Sequence, residues 1–296
     1  MTKNKYYDTL VIYQAEEKMI HFYVHADSSN NTAVKAKTAL EQKYADRVVC
    51  DVDKSDVIIS LGGDGTTLDA LRLGLEHNKK VYGMNLGHVG AYQNQFNTDH
   101  LPERIADADE IKLNPLIVHA QKLDDSMLQA YAWNEIYIRS GDNPQQARLI
   151  GYIDQNKHPF NINGDGYLLA SPMGSLAYNL AAGGHKLHFR ENLLASTAIA
   201  ASFGVRDILS DHSKIHIEVQ DPVKRCVSLV TDNRWLGKIK SCYMYQDTHQ
   251  AATLLWDKDK TNAAEERGRK ILLTRQHHII QELKTNGYFL ERYHRY

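Results

Sequence analysis

The sequence has few cysteines and no long apolar run, and each absence excludes a class of protein. Its three cysteines, Cys50, Cys226 and Cys242, are far apart and form no CxxC pair, so we expect neither a disulfide framework nor a zinc site. No apolar stretch approaches the roughly 20 residues that span a bilayer, and the N-terminus lacks the positive-then-apolar pattern of a signal peptide. We therefore expect a cytoplasmic protein with no membrane partner.

An excess of basic charge is also missing. The chain has 35 Lys and Arg against 36 Asp and Glu, which gives a formal net charge of -1, so no global basic field attracts nucleic acid. The P-loop pattern GxxxxGK[ST] does not occur, which excludes a P-loop kinase. With 296 residues, of which 43% are hydrophobic, the chain is long for one core, and its length favours two domains.

A glycine-rich turn within residues 56–69, DVIISLGGDGTTLD, is the most informative stretch that is present. A β-branched run at 57–59 leads into GGDGT at 62–66, and leucines then recur at helical spacing, which predicts a strand, a turn and a helix. Exposed N–H groups at a helix start bind anions, and glycines let a phosphate approach the backbone. Asp64 would repel phosphate, so it indicates either metal binding or proton abstraction from an attacking hydroxyl. A sharp turn with an Asp helix cap is the alternative.

Strands and helices alternate up to about residue 112. The pattern predicts strands at 8–13, 48–49, 57–61 and 81–85, and helices at 32–44, over the leucines at 68–75, and at 101–108. A second glycine turn, NLGHVG at 85–90, follows one of these strands. Alternation predicts a doubly wound parallel sheet with ligands at the carboxyl ends of its strands, so both glycine turns should open at one edge. We assign 1–112 to an α/β phosphate-loop domain.

The pattern changes to short alternating strands after residue 112, and it predicts an antiparallel β-sandwich domain over 113–258. Candidate strands lie at 116–120, 128–133, 135–139, 215–219, 227–230 and 238–245. An Ala-rich segment at 193–203 predicts a short helix, and 263–284 predicts a charged one. We expect part of 259–296 to pack back on the first domain, with the basic and aromatic end at 288–296 docked on the body rather than on nucleic acid.

Four separated motifs, namely GGDGT at 62–66, NLGHVG at 85–90, Asn134-Glu135 and GDGYLLASPMGSLAY at 164–178, line up in order. This set resembles the NAD kinases, most of all their Gram-positive bacterial branch, over residues 56–245. GGDGT alone is shared with diacylglycerol, sphingosine and phosphofructo-kinases, whereas the 164–178 block with an upstream Asn-Glu is much more specific. The resemblance implies phosphoryl transfer from ATP or polyphosphate to the 2′-hydroxyl of NAD with Mg²⁺, in a homodimer or homotetramer. It also implies that the 1–112 domain binds ATP and that the 113–258 domain binds NAD.

The resemblance also implies roles for individual residues. Asp64 matches the catalytic aspartate, which activates the ribose 2′-hydroxyl or organises the metal. The loop that meets the triphosphate corresponds to Gly62, Gly63, Gly65 and Thr66. The NAD contacts correspond to Asp64, Gly65, Asn134, Glu135, Asp165, Leu176, Ala177, Tyr178, Ala181 and Ala200. Asp232 resembles a late family aspartate near the site.

The residues by themselves leave other interpretations open. Asn134-Glu135 is also compatible with a strand-edge turn, Asp165 with a hairpin turn, Tyr178 with core packing and Asp232 with a turn. Departures from the family pattern are Ala91 for an aromatic residue, Asn163 for a basic one, Met173 and Leu176 for threonines, and Ala181 for a serine. Each lost hydrogen bond is worth about 1 kcal/mol, so NAD would bind more weakly or in a changed pose. The alternative functions are a lipid or sugar kinase and a dinucleotide-binding sensor without turnover.

Overall fold

The computed structural model describes residues 19–141, 145–154, 159–202 and 204–285. Its strands are β1 (Phe22–Ala26), β2 (Val48–Val49), β3 (Val57–Gly62), β4 (Lys80–Asn85), β5 (Asn94–Gln95), β6 (Asp109–Leu113), β7 (Leu116–Lys122), β8 (Met127–Ala132), β9 (Glu135–Ser140), β10 (Ala147–Ile153), β11 (Phe160–Gly164), β12 (Gly166–Ala170), β13 (Leu193–Ile199), β14 (Arg206–Ser210), β15 (Ile215–Val219), β16 (Val227–Thr231), β17 (Arg234–Gln246) and β18 (Ala252–Trp256). Its α-helices are α1 (Asn31–Lys43), α2 (Asp64–Glu76), α3 (Leu101–Asp107), α4 (Tyr178–Ala181) and α5 (Lys258–Thr285).

The first sheet has seven strands in the order β2-β1-β3-β4-β18-β6, with β5 paired to β4. All its pairings are parallel except that of β6 with β18. Every residue of β3 is buried, as expected for a parallel strand covered on both faces. Ile59 and Leu61 pack with α1, whereas Ile58 packs with α2. The predicted α/β architecture is therefore confirmed as a mixed, mostly parallel sheet between helices.

Four strands of this sheet, namely β1, β5, β6 and β18, come from positions that the sequence pattern did not single out. β1 precedes α1, and β18 follows all eleven strands of the second sheet yet pairs with β4 and β6. The chain therefore returns to its first sheet after completing the second one. The strand predicted at 8–13 lies outside the described residues.

The second sheet has eleven antiparallel strands in the order β11-β10-β15-β17-β16-β9-β12-β13-β14, with β7 joining β17 to β8. One core cluster takes side chains from almost the whole length of this sheet. Phe160 on the edge strand β11 lies 5.9 Å, centroid to centroid, from Tyr167 on β12. The predicted antiparallel domain is thus confirmed, and its single sheet curls around its own core.

The helix predicted at 193–203 is wrong. Leu193–Ile199 forms β13, which pairs with β12 on one side and β14 on the other. Its alanines suggested a helix, but a central strand position between two neighbours overrides that weak preference. Thr197 is fully buried and its hydroxyl donates to the Asn179 side chain, so small residues here make room for the segment around α4.

Helix α5 begins directly after β18 and contacts both halves of the molecule. Ala264 is buried in the cluster that contains Trp256 of the first sheet. Further along, Gly268 lies against His188, where an added Cβ would come within 1.6 Å of the imidazole, and Arg275 pairs with Glu191. None of the helices in the described ranges is both long and apolar enough to cross a bilayer.

Candidate functional site

The first glycine turn lies at the carboxyl end of β3. Gly63 occupies the N-cap of α2 without a capping side chain, and Asp64 is the first helical residue. Thr66 folds back over Gly62, where an added Cβ would lie 2.3 Å from the threonine hydroxyl. The predicted strand, turn and helix are therefore confirmed, and the first amides of α2 have no i−4 carbonyl to bind.

The second glycine turn packs directly on the first. A Cβ on Gly87 would lie 2.8 Å from the Gly63 Cα. Within this turn the Gly87 amide donates to the Asn85 side chain at 2.9 Å, and Gly90 has a φ of 70°, which favours glycine. Both turns thus meet at one edge of the sheet, as the strand alternation predicted.

Tyr92 connects this edge to the second sheet. Its amide donates to Asp64 Oδ1 at 2.9 Å, and its hydroxyl donates to Asn134 Oδ1. The side chain is 2% exposed. Burial, together with the carboxylates of Asp232, Glu135 and Asp64, raises its pKa well above the ordinary value, so the phenol remains a donor. Tyr92 was not predicted, although its place just after the second glycine turn was a signal.

Asp232 holds the Asn134-Glu135 pair from behind. Its fully buried carboxylate accepts from the amide of Trp133 at 2.8 Å and that of Asn134 at 2.8 Å, and from the amide of Glu135 at a longer 3.4 Å. Arg72 of α2 donates to the same carboxylate at 2.6 Å. Burial raises the Asp232 pKa, and Arg72 and the amides oppose that rise.

Asp232 is also a turn residue, with a φ of 45° between β16 and β17. Asp232 is therefore a turn residue and also lies near the site. Its carboxylate orients the backbone amides of residues 133–135. Because Arg72 belongs to the helix that Asp64 begins, the ion pair ties the two halves of the site together. Arg72 was not predicted from the sequence.

Glu135 is the most perturbed acid at the site. It is 2% exposed, and within the described residues its Oε2 has no hydrogen-bond partner. Burial first, and then the Asp232 carboxylate, raise its pKa to about 8, while the Tyr178 amide hydrogen bond opposes the shift. A buried polar atom without a hydrogen-bond partner is a candidate ligand contact.

The 171–178 segment packs against the chain around the Asn134-Glu135 pair. Ser171 donates from its amide to the Asn134 carbonyl at 2.9 Å and from its hydroxyl to the Trp133 carbonyl at 2.5 Å. A Cβ on Gly174 would lie 1.9 Å from the Asn134 carbonyl oxygen, so only glycine fits there. Tyr178 is half-buried and its ring meets that of Tyr137 edge-on at 4.9 Å.

The remaining predicted residues of this segment, Leu176, Ala177 and Ala181, are exposed and lie on either side of Tyr178 in the chain. Of the positions that depart from the family pattern, Met173 and Ala91 both pack against the core cluster that contains Trp256. Met173 is larger than the threonine usual in the family, and Ala91 is smaller than the usual aromatic residue, so the two changes fill the same apolar space. Asn163 is exposed on β11.

Asp165 and Ala200 lie away from this cleft in a single chain. β9 and β12 pair Glu135 with Ala170 but Arg139 with Gly166, so Asp165 lies about 17 Å along the strand from the Glu135 end. Its amide donates to the Ile199 carbonyl at 2.9 Å, and Ala200 follows with a φ of 44°. The structure thus brings together Asp64, Asn134 and Glu135 with Tyr178, but not Asp165 or Ala200.

A glycine turn at the start of α2, joined through Tyr92 to Asn134 beside the buried Glu135, links an α/β layer to a curled antiparallel sheet and defines a two-domain protein with an acidic site between its sheets. Residues 7–108 match the ATP-NAD kinase N-terminal domain, and residues 133–241 match the ATP-NAD kinase C-terminal domain. The chain therefore belongs to the NAD kinase family.

Curated relatives agree with this assignment, and solved structures share the fold. An NAD kinase of Hyphomonas neptunium is 38% identical over 208 residues, 69% of this chain and 81% of that protein. One of Rhizobium meliloti is 35% identical over 230 residues, 77% and 88% of the two chains. The fold is similar to yeast NADH kinase complexed with NADH (TM-score 0.70, 20% identity, 86% and 88% coverage). It also resembles an Archaeoglobus fulgidus NAD kinase in complex with ATP (TM-score 0.64, 18% identity, 84% and 98% coverage). The likeness to the Gram-positive branch stays a prediction.

Proposed function

We propose that this NAD kinase family member transfers the γ-phosphoryl group of ATP to the adenosine-ribose 2′-hydroxyl of NAD in the cleft between Asp64 and the Asn134-Glu135 pair. The observation that carries the proposal is Tyr92, which hydrogen-bonds Asp64 through its amide and Asn134 through its hydroxyl. A phosphate loop and a sugar-binding pair from two sheets thus share one contact residue. A turnover-free sensor is not favoured, because the curated relatives that span most of the chain are NAD kinases.

Asp64 is the general base in this proposal. Its Oδ1 is held by the Tyr92 amide, which orients the carboxylate and leaves Oδ2 for the substrate. The ribose oxygen attacks the γ-phosphorus while its proton passes to Asp64, and the bond from that phosphorus to the bridging oxygen of ADP breaks. The open amides of Gly63, Asp64 and Gly65 face the developing charge of the phosphates.

Asn134 and Glu135 bind the ribose diol. An amide both donates and accepts, and a protonated carboxyl does the same. Because the Glu135 pKa is raised to about 8, this side chain is mostly neutral at pH 7 before NAD arrives. Tyr178 lies beside the pair, with Leu176, Ala177 and Ala181 as an apolar rim that contacts NAD without hydrogen bonds from its side chains.

Mg²⁺ fits the residues that are present. The described residues contain no group of three or more His, Cys, Asp or Glu that could hold a metal ion, so a dedicated protein cage is not built here. Mg²⁺ is commonly bound by one or two carboxylates plus substrate phosphates and water. The phosphates of ATP and water would be its direct ligands, and Asp64 would contact it through one of those waters, since Asp64 Oδ2 receives the ribose proton. Bound there, the ion would neutralise phosphate charge.

Asp165 and Ala200 enter the proposal through a second subunit. Asp165 lies about 17 Å along the strand from Glu135, and Ala200 follows Ile199, which pairs with Gly166. We infer that such positions contact NAD only if they border a neighbouring subunit's site. We therefore propose a homodimer or homotetramer with shared sites. Co-expressing Asp64→Asn with Asp165→Ala tests this, since mixed dimers would contain one intact site and should regain about a quarter of native activity. No regain above either parent would contradict sharing.

The function itself is tested with the purified native chain, Mg²⁺ and NAD, with ATP or polyphosphate as donor. NADP is measured with an NADP-specific dehydrogenase. The expected result is NADP formation with ATP consumed in equal amounts. Saturable NAD binding by calorimetry without any NADP formed would instead support the sensor.

A further inference from the structure

Lys260 supplies a cation where the sequence lacks a P-loop lysine. It lies in the first turn of α5, more than 190 residues after the glycine turn at 62–66. Its Nζ donates to the Gly90 carbonyl at 2.7 Å and lies 5.4 Å from the centroid of the Trp256 ring. The ammonium group therefore sits on the second glycine turn, which itself packs on the first.

The position of Gly90 places this ammonium close to the proposed chemistry. The Gly90 carbonyl holds Lys260, and two residues later the Tyr92 amide holds Asp64. An ammonium has three protons, so two remain for a ligand once one is given to Gly90. The Lys260 ammonium, the open amides of α2 and the Asp64 carboxylate therefore lie around the second glycine turn.

The surroundings of Lys260 favour an anionic ligand. Burial is the main cause that lowers its pKa to about 8, the Arg267 guanidinium two turns along α5 adds to the lowering, and Asp64 opposes it. Arg267 and Asp64 are the charged groups that face it. Lys260 and Arg267 together carry two positive charges, and Asp64 supplies one negative charge. Phosphate oxygens would provide the missing negative charge.

We propose that Lys260, flanked by Arg267, binds the phosphate chain of ATP at the two glycine turns. This proposal rests on the proposed function, because it names the group that receives the donor's charge. Helix α5 then has a role beyond packing: it closes the phosphate site with a lysine that the sequence separates from it. The alternative is a purely structural lysine that fastens α5 to the Gly90 carbonyl.

Lys260→Gln separates these roles, since a glutamine amide still donates to the Gly90 carbonyl but carries no charge. The matched control is Lys258→Gln, at an exposed lysine two residues earlier. We expect Lys260→Gln to weaken ATP binding, measured by calorimetry without NAD, roughly ten- to hundredfold. NAD affinity and the melting temperature should stay native, and Lys260→Arg should recover most of the ATP affinity.

An ATP Kd and a kcat/KM for ATP within twofold of native in Lys260→Gln would overturn the assignment. If Lys260→Gln lowers the melting temperature, Lys260→Arg decides: native ATP affinity in it supports a phosphate ligand, and a loss equal to that of the glutamine variant contradicts one. A native chain that binds ATP in a Lys260-dependent way but forms no NADP would refute the proposed function and leave this inference standing.

Discussion

Replacing Asp232 with Asn tests how the two domains are held together at the site. The Asp232 carboxylate is fully buried, receives three successive amides and pairs with Arg72 at 2.6 Å. The Arg72 side chain is only 14% exposed, and its other partner, Asp69, binds Nη1 from the exposed side, so the buried Nη2 would lose its only acceptor among the described residues. Removing one partner of a buried pair typically costs about 3–5 kcal/mol, and we expect a loss of that size in unfolding free energy.

A double-mutant cycle isolates the pair. Arg72→Met alone leaves the carboxylate uncompensated and should cost a similar amount, whereas the double variant leaves no buried charge. The double variant should therefore be more stable than the sum of the single effects predicts, by about 2 kcal/mol. Asp69→Asn is the control, because Asp69 binds the same guanidinium at 2.7 Å with 59% of its side chain exposed, and such pairs are worth about 0.2–1 kcal/mol.

The assay is urea denaturation followed by tryptophan fluorescence, since Trp133 donates its amide to Asp232. NAD kinetics on the same variants should show a lower kcat/KM for NAD with unchanged ATP affinity, because Asp232 orients Asn134 and Glu135. Single effects that simply add within about 0.5 kcal/mol, or an Asp232→Asn variant with native NAD kinetics, would refute the reasoning.

Two further predictions concern acid–base behaviour and loop packing. The folded-state pKa of Glu135 is about 8, above its ordinary 4.5, so the folded chain keeps a proton that the unfolded chain releases. Stability should therefore fall as pH rises between these values, by up to about 1.4 kcal/mol per unit, and Glu135→Gln should flatten that slope in urea titrations at pH 5.5 and 7.5. Parallel slopes in both chains would contradict the shift. Gly87→Ala adds a methyl 2.8 Å from the Gly63 Cα and should lower both the melting temperature and ATP turnover, whereas Gly65→Ala, which meets nothing within 4 Å, should leave the melting temperature native.

The sequence predicted those parts of the molecule whose signal is local. β3, the glycine turn and α2 follow from a β-branched run, three glycines and leucines at helical spacing, all within 20 residues. The two glycine turns were expected at one edge because parallel strands align their carboxyl ends, and Gly87 does lie on Gly63.

Contacts between distant parts of the chain could not be predicted in this way. The hydrogen bond from Tyr92 to Asn134 joins residues 42 apart, and that from Arg72 to Asp232 joins residues 160 apart. The helix and strand periodicity of the sequence carries no information about such distant pairs. The Ala-rich segment that became β13 shows the same limit, because its place between two strands, rather than its own propensity, decided its structure.

The central claim is that Asp64 drives phosphoryl transfer in a cleft completed by Asn134 and Glu135. The most direct measurement compares NADP formation from Mg²⁺, ATP and NAD by the native chain and by Asp64→Asn, with NAD affinity measured in parallel. Asparagine keeps the oxygen that accepts from the Tyr92 amide but cannot take a proton. We expect native NADP formation, a loss of roughly 10²–10⁴-fold in kcat for the variant and preserved NAD binding. Equal rates in the two chains would contradict the account.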